Sequence, residues 1–277
     1  MARFCKEPHK SKRKVACYAD RLSDLAGMMR PCFQATVLRK YTAQYEVCGA
    51  CGYLRAHEPH WLKEAYSSAV TAADTGLVAR NIALAGKVAG VLYWALGERG
   101  QGRYLDAAGG YGMLTRLMRD WGFDFYWADE YCENLLARGF EYGERQRGCR
   151  AVTAMEVMEH LTDPLAFVDE VLRWAEAGTL IFTYEGQVPG QDWWYYAFPT
   201  GQHIGFFTKA SIKKMGERLG LRFFSANGLH VLTRESMEEQ RLRWATHPWG
   251  CRLSLLWIRR RLRSKTMDDH LKLLDAL

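Results

Sequence analysis

The sequence predicts an α/β domain, on three observations. Between residues 101 and 233, short apolar runs alternate with amphipathic stretches, the signature of strands joined by crossover helices. A glycine cluster, Gly109, Gly110 and Gly112, follows the first apolar run directly. An Asn227-Gly228 pair between Leu221–Phe224 and Leu229–Thr233 signals a hairpin that closes the series. The flanks differ in texture. Residues 1–60 are turn-rich and carry Cys48 and Cys51, while 61–100 read as a helical lead-in with Leu77, Ile82, Leu84, Val88, Val91 and Leu92 recurring at helical spacing. Residues 234–277 read as a basic, helical tail.

Element by element, Arg103–Leu105 is a short strand ending at Asp106. Leu114, Leu117, Met118 and Trp121 then fall on one helical face, and Gly122 ends that helix. Phe123–Ala128 is the next strand, closing on Asp129. A short helix is expected near 133–138 and a brief third strand at Phe140. Ala151–Ala154 reads as a buried strand. Asp163-Pro164 has the form of an N-cap followed by proline at the first helical position, ahead of Leu165, Val168 and Leu172. Thr179–Thr183 is a fifth strand, and Ile212, Met215 and Leu219 mark a helix stopped by Gly220. This order fits a mostly parallel sheet with helices on both faces and one antiparallel edge.

Composition narrows the class. The 277 residues are 48% apolar and 25% charged, ordinary for a globular chain, with room for one large domain or a domain plus a small appendage. No apolar run approaches the ~18 residues of a membrane span, and the N-terminal stretch lacks the apolar core of a signal peptide. Eight cysteines in this length do not make a disulfide scaffold. A cytoplasmic, reducing location is expected. The net charge of +7 sits at the ends: six Lys/Arg against Glu7 in residues 1–14, and six with no acid in residues 252–265. The rest of the chain is mildly acidic, so the basic ends read first as solvated tails. Trp249, Leu253, Leu255, Leu256 and Trp257 beside Arg259–Arg263 also suit an anionic surface or a docking helix, against the plainer reading of a packed C-terminal helix.

The glycine cluster sets the ligand chemistry. Glycines between a strand and a helix let the backbone turn sharply and approach a ligand, and the amides at the helix start favour a polar group. Asp129 lies 23 residues after Asp106, at the end of the second strand, where a carboxylate can accept from ribose hydroxyls. Asp106 just before the glycines disfavours a pyrophosphate by like-charge repulsion. It suits a ligand with a cationic end. A ribose joined to an ammonium-bearing tail describes S-adenosylmethionine better than a nicotinamide dinucleotide.

These residues resemble a known family. Leu105-Asp106-Ala107-Ala108-Gly109-Gly110-Tyr111-Gly112 is similar to the first motif of class I S-adenosylmethionine-dependent methyltransferases. Met155-Glu156-Val157-Met158-Glu159-His160-Leu161 with Asp163-Pro164 resembles the segment after the fourth strand in the small-molecule branch. The Cys48–Cys51 region, His60–Tyr66, Trp193–Tyr196 and Gly201-Gln202-His203 resemble a bacterial subgroup with an N-terminal zinc-ribbon-like segment. The resemblance implies a Rossmann-like, doubly wound, seven-stranded sheet with an antiparallel last strand, preceded by the small Cys-containing segment. It places Asp106, Ala108, Gly110 and Gly112 at the methionine end of the cofactor, Asp129 at the ribose, and Glu156 and His160 near its edge, with Met155 among the cofactor-binding residues. Ala108 stands where the motif has its first glycine, and Arg150 where an Asp commonly starts the fourth strand.

Three residues are candidates for the chemistry of methyl transfer. His203 lies in the loop after the fifth strand, where parallel sheets place their ligand crevice, and imidazole suits a general base. The plainer reading is a histidine bonding loop backbone. His160 contacts an acceptor or fixes its own loop. Tyr196, with Trp193, Trp194 and Tyr195, forms a pocket wall or packs a long loop. Cys48 and Cys51 have the spacing of a metal knuckle, half of a tetrahedral zinc set. Cys17 and Asp20 are the expected remaining ligands, with Cys32 or Cys5 and His9 as alternatives and a metal-free knuckle as the other outcome. The implied activity is methyl transfer to oxygen or carbon of a small molecule, a sugar or polysaccharide precursor by the subgroup resemblance. Two other classes stand beside it. The basic ends would serve a nucleic-acid methyltransferase, and Ala108 and Arg150 would fit a non-catalytic scaffold.

Overall fold

The computed structural model describes residues 29–68, 71–186 and 190–275, in two compact units. The strands run in order as β1 (Met29–Val37), β2 (Tyr41–Cys48), β3 (Leu54–Ala56), β4 (Arg103–Ala107) and β5 (Asp124–Ala128). They continue as β6 (Cys149–Ala154), β7 (Thr179–Phe182), β8 (Gly205–Phe206), β9 (Arg222–Ala226) and β10 (Leu229–Thr233). The helices are α1 (Leu62–Ala65), α2 (Leu77–Gly90), α3 (Met113–Asp120), α4 (Pro164–Ala175) and α5 (Lys209–Arg218). Three more close the chain: α6 (Glu239–Thr246), α7 (Pro248–Arg261) and α8 (Thr266–Leu274).

The first unit holds the described residues up to Ser67 together with Glu159–Thr162 and Glu185–Lys214. Its antiparallel sheet has the order β1-β2-β3-β8. Along β2, Ala43 and Tyr45 are buried while Thr42 and Gln44 are more exposed, the period-two pattern of a half-buried strand. The core is aromatic: Tyr45, Trp61, Tyr195, Tyr196 and Phe206 are all buried. The sequence reading placed Glu185–Lys214 wholly inside the α/β domain. The structure groups it with the N-terminal strands, because Gly205 and Phe206 pair with Arg55 and Leu54.

The second unit holds Ser68–Met158, Asp163–Tyr184 and the described residues from Met215. Its six-stranded sheet has the order β5-β4-β6-β7-β10-β9. β4 pairs in parallel with β5 and β6, and β6 with β7. β10 is antiparallel to both β7 and β9. Tyr104–Ala107 of β4 are all buried, as expected of a central parallel strand covered on both faces. Asp163 caps α4, its Oδ1 accepting from the Ala166 amide at 2.9 Å, with Pro164 at the first position. The Asn227-Gly228 turn has φ of 50° and 74°, the left-handed pair that a tight hairpin demands.

Four sequence expectations change here. The brief third strand expected at Phe140 is one bridge between Glu141 and Trp127, so this sheet has six strands among the described residues where seven were expected. Among the described residues, only the amides of Trp127 and Tyr142 bond across this edge. The antiparallel strand β10 does not lie at the edge; it inserts between β7 and β9, and β9 is the edge. No helix forms at 133–138. The Asn134 side chain accepts from the Ala137 amide and donates to Glu141, and the amides of Leu135 and Leu136 bond the Tyr111 carbonyl instead. Ile82, counted in the apolar stripe of the lead-in helix, is exposed, while Leu84, Val88, Val91 and Leu92 are buried.

The C-terminal stretch is packed, not a free tail. The buried Arg119 guanidinium of α3 donates to both carboxylate oxygens of the buried Asp269 on α8, at 2.8 and 2.6 Å. It also bonds Asp124 and the Phe125 carbonyl, and sits 3.7 Å from the Phe140 ring centroid.

Candidate active site

The cofactor residues expected from sequence converge in the second unit. The chain leaves β4 for β5 on one side and returns to β6 on the other side of β4, so the carboxyl ends of β4 and β6 flank a topological switch point. Ligands of open α/β sheets bind at such a point. The turn 108–112 stands at the carboxyl end of β4, with Ala108 (φ 52°), Gly110 (φ 55°) and Gly112 (φ 83°) all left-handed. Gly112 lies so close to Asn134 and Ala137 that an added Cβ would meet Asn134 Oδ1 at 2.8 Å. A Cβ on Gly110 would meet nothing within 4 Å, so the crest of the turn is open to a ligand. The turn is pinned from behind by Trp127 Nε1, which donates to the Gly110 carbonyl at 2.8 Å.

Two carboxylates hold this turn. Asp129 Oδ2 accepts from the Gly110 amide at 2.9 Å, and Oδ1 accepts from the amides of Tyr131 and Cys132. Oδ1 is therefore filled, and Oδ2 keeps one acceptor position for a ligand hydroxyl. Asp106 is buried beneath Gly109, its oxygens accepting from Thr115 at 3.0 Å and Thr153 at 2.8 Å. Burial pushes its carboxyl up to about 6, against the two hydroxyl donors and with help from the nearby Asp129 charge. Thr153 reaches Asp106 because the parallel register sets the two opposite each other. At the end of β6, Glu156 (φ 56°) bonds Thr183 through its amide at 2.8 Å and Oε1 at 2.6 Å. Its Oε2 lies 3.6 Å from Arg80, which Asp74 also holds. Met155, next to it, is half-buried. Arg150, where an acid was expected, pairs with the buried Glu98 at 2.6 Å.

The histidine candidates meet within the first unit. His160 and His203 stack edge to face with ring centroids 4.8 Å apart, and the buried Glu159 lies with them: one ligand-type atom from each of the three falls within 4.8 Å of the others. His203 Nδ1 lies 2.6 Å from the Tyr195 carbonyl, an acceptor, so this nitrogen carries the proton and Nε2 bears the lone pair. His160 Nδ1 lies 3.2 Å from the Gln202 carbonyl and 3.0 Å from the Tyr66 hydroxyl. Tyr195 donates to Glu159 Oε1 at 2.6 Å, whereas the buried Glu159 Oε2 has no hydrogen-bond partner among the described residues. Tyr196 does not join this group. It is packed in the aromatic core against Phe206 and stacked on Phe198, and its neighbour Tyr195 supplies the hydroxyl. The sequence offers both histidines as candidates but sets Tyr195 only in an aromatic wall and Tyr66 only in a resembling segment, and no spacing announces a partner 94 residues away.

The Cys48–Cys51 pair lies in the turn between β2 and β3, where the Gly52 amide bonds the Cys48 carbonyl at 2.8 Å. Burial works against ionising Cys48, yet hydrogen bonds from the Ala50 amide and the Cys51 thiol, with Lys214 nearby, hold its thiol below the ordinary range. Burial pushes the Cys51 thiol up. Both are free cysteines, two of the four ligands that a tetrahedral zinc would need. Cys17 and Asp20, expected to complete it, and the alternatives Cys5 and His9, lie outside the described residues, and Cys32 is exposed on β1.

A mixed sheet whose central strands run parallel, with a glycine turn and two carboxylates at its switch point, gives the second unit a Rossmann-like fold. The family model described as "Methyltransferase domain" matches residues 77–226, more than half of the chain. The chain belongs to this methyltransferase family. No curated protein matches it. Among solved structures, TnmH is similar at 16% identity and a TM-score of 0.42, over 64% of this chain and 62% of that one. The magnesium protoporphyrin IX methyltransferase ChlM of Synechocystis PCC 6803, with bound SAH, is similar at 16% identity and a TM-score of 0.41, over 64% and 94% of the two chains. The mitomycin 7-O-methyltransferase MmcR is similar at 15% identity and a TM-score of 0.36, over 53% and 51%.

Proposed function

We propose that this chain transfers a methyl group from S-adenosylmethionine to an oxygen or carbon of a small acceptor, a sugar or polysaccharide precursor being the first candidate. The observation that carries the reading is the open, left-handed turn over Gly110 with the Asp129 carboxylate beside it, at the switch point of a methyltransferase-family sheet. Asp129 Oδ2 would take a ribose hydroxyl, and Ala108, Gly110 and Gly112 would shape the turn around the amino-acid end. Met155 and Glu156 would border the ligand at the end of β6. Bound S-adenosylmethionine supplies an electrophilic methyl group, so the protein's own task is to position the acceptor and remove its proton.

In this reading His203 receives that proton on Nε2. The Tyr195 carbonyl fixes the tautomer, and the buried Glu159 lies in the same cluster. His160 joins it as an acceptor contact. The test is release of S-adenosylhomocysteine with a panel of sugars, nucleotide sugars, phenols and RNA. Turnover with a small hydroxyl or acidic-carbon acceptor supports the reading, and turnover with RNA alone replaces it by the nucleic-acid class.

One observation favours a second reading of the histidine cluster. The buried Oε2 of Glu159, which has no hydrogen-bond partner among the described residues, with two histidines whose Nδ1 atoms already lie against carbonyls, has the form of a two-histidine, one-carboxylate cation site. A divalent ion there would draw the proton from a bound hydroxyl as a Lewis acid. Activity that a chelator abolishes and added cation restores selects this reading over the Brønsted base. At the separate Cys48–Cys51 turn, a structural zinc completed by upstream residues is tested by metal content, which falls on Cys48→Ser if the site exists.

A further inference from the structure

The outer face of α7 carries the wrong residues for a helix that only meets water. Its inner face is built from small side chains, Gly250 and Ser254, with Ile258, and Cys251 and Leu255 approach Gly86 of α2. The large apolar residues point outward instead. Trp249 is 67% exposed, Leu253 55%, Leu256 60% and Trp257 42%. Their spacing of i, i+4, i+7 and i+8 lines them along one stripe. Exposed large apolar side chains grouped in this way mark an interaction surface.

Arginines frame the stripe. Arg252 lies 5.8 Å from the Trp249 ring centroid and Arg261 4.7 Å from that of Trp257. Arg259 and Arg260 are also exposed, and α7 contains no acidic residue. Trp257 is braced from below by Trp94, which also meets Trp244 edge to face at 5.8 Å. The stripe is thus a fixed wedge of tryptophan and leucine within a rim of four positive charges.

We infer that this face of α7 docks on an anionic lipid surface. Tryptophan and leucine seat at the headgroup and acyl boundary, while arginine bonds lipid phosphates. A second copy of the chain is disfavoured, because self-docking would bring two arginine rims together with no acid in α7 to neutralise them. Nucleic acid would use the arginines but leave four large apolar side chains at the centre without a role.

The test is flotation of the full chain with phosphatidylcholine vesicles, with and without about one-third phosphatidylglycerol. Binding is expected only to the anionic vesicles and is expected to fall steeply with salt. The double substitution Trp249→Ser with Leu253→Ser should weaken it at least tenfold, as should Arg259→Gln with Arg260→Gln. These positions are exposed, so circular dichroism and thermal stability should stay those of the wild type. Equal binding to both vesicles, or none to either, overturns the inference. So does concentration-dependent dimerisation that the same substitutions abolish, or RNA binding that survives loss of Trp249 and Leu253.

Discussion

Replacing Asp106 by Asn should raise stability, and by an amount that depends on pH. The buried carboxyl is pushed from 3.8 to about 6 by burial, so the fold disfavours its charged form. A raised carboxyl is the reverse of the usual case: its contribution to stability falls as pH rises through the window from about 4 to about 6. With these two values the ionised group costs the folded state about 3 kcal/mol at pH 8, about 1.5 at pH 5 and about 0.5 at pH 4. Asn is nearly isosteric and does not titrate. Its amide can still meet the Thr115 and Thr153 hydroxyls, which accept as well as donate. Groups common to both proteins cancel, so the stability gap between variant and wild type should widen by about 1.5 kcal/mol from pH 5 to pH 8, or about 3–6 °C in melting temperature. Paired thermal melts across this range measure it. A gap independent of pH would refute the argument.

Other outcomes follow from the same geometry. Asp269→Ala strands the buried Arg119 guanidinium and should cost about 3–5 kcal/mol by denaturant titration. Burial works to raise the Asp269 carboxyl, but Arg119 and Arg116 outweigh it and hold it below its ordinary value. This pair therefore stabilises the fold above the ordinary carboxylate pKa and is lost as pH falls below it, so the cost of the substitution should shrink in acid. Gly112→Ala forces a Cβ against Asn134 at 2.8 Å with φ at 83°, and should lower both melting temperature and S-adenosylhomocysteine affinity. His203→Ala should reduce kcat about 10²–10⁴-fold while leaving S-adenosylhomocysteine affinity unchanged, and an equal loss of affinity would remove it from the role of base.

The sheet was legible where local chemistry decides local shape. The Asn227-Gly228 turn, the Asp163-Pro164 helix start and the glycines after β4 each demand one backbone geometry, and each is formed. The expected strand at Phe140 and helix at 133–138 depended on partners elsewhere. Asn134 satisfies its neighbours through its side chain, and the Tyr111 carbonyl takes the amides a helix would have used. The candidate site divides in the same way. Asp106 and Asp129 stand out by spacing alone, but that Asp129 bonds the Gly110 amide and that Thr153 supports Asp106 follow from strand register. Tyr195 and Tyr196 are neighbours in a run of aromatics, and only packing shows that the first serves Glu159 while the second fills the core.

The central claim is that the turn beside Asp129 binds S-adenosylmethionine, and calorimetric titration with S-adenosylhomocysteine tests it most directly, with Asp129→Ala alongside. The account predicts micromolar binding by the wild type, weakened at least tenfold by a substitution that leaves the protein folded. No binding by well-folded wild type, or binding that Asp129→Ala leaves unchanged, would contradict it.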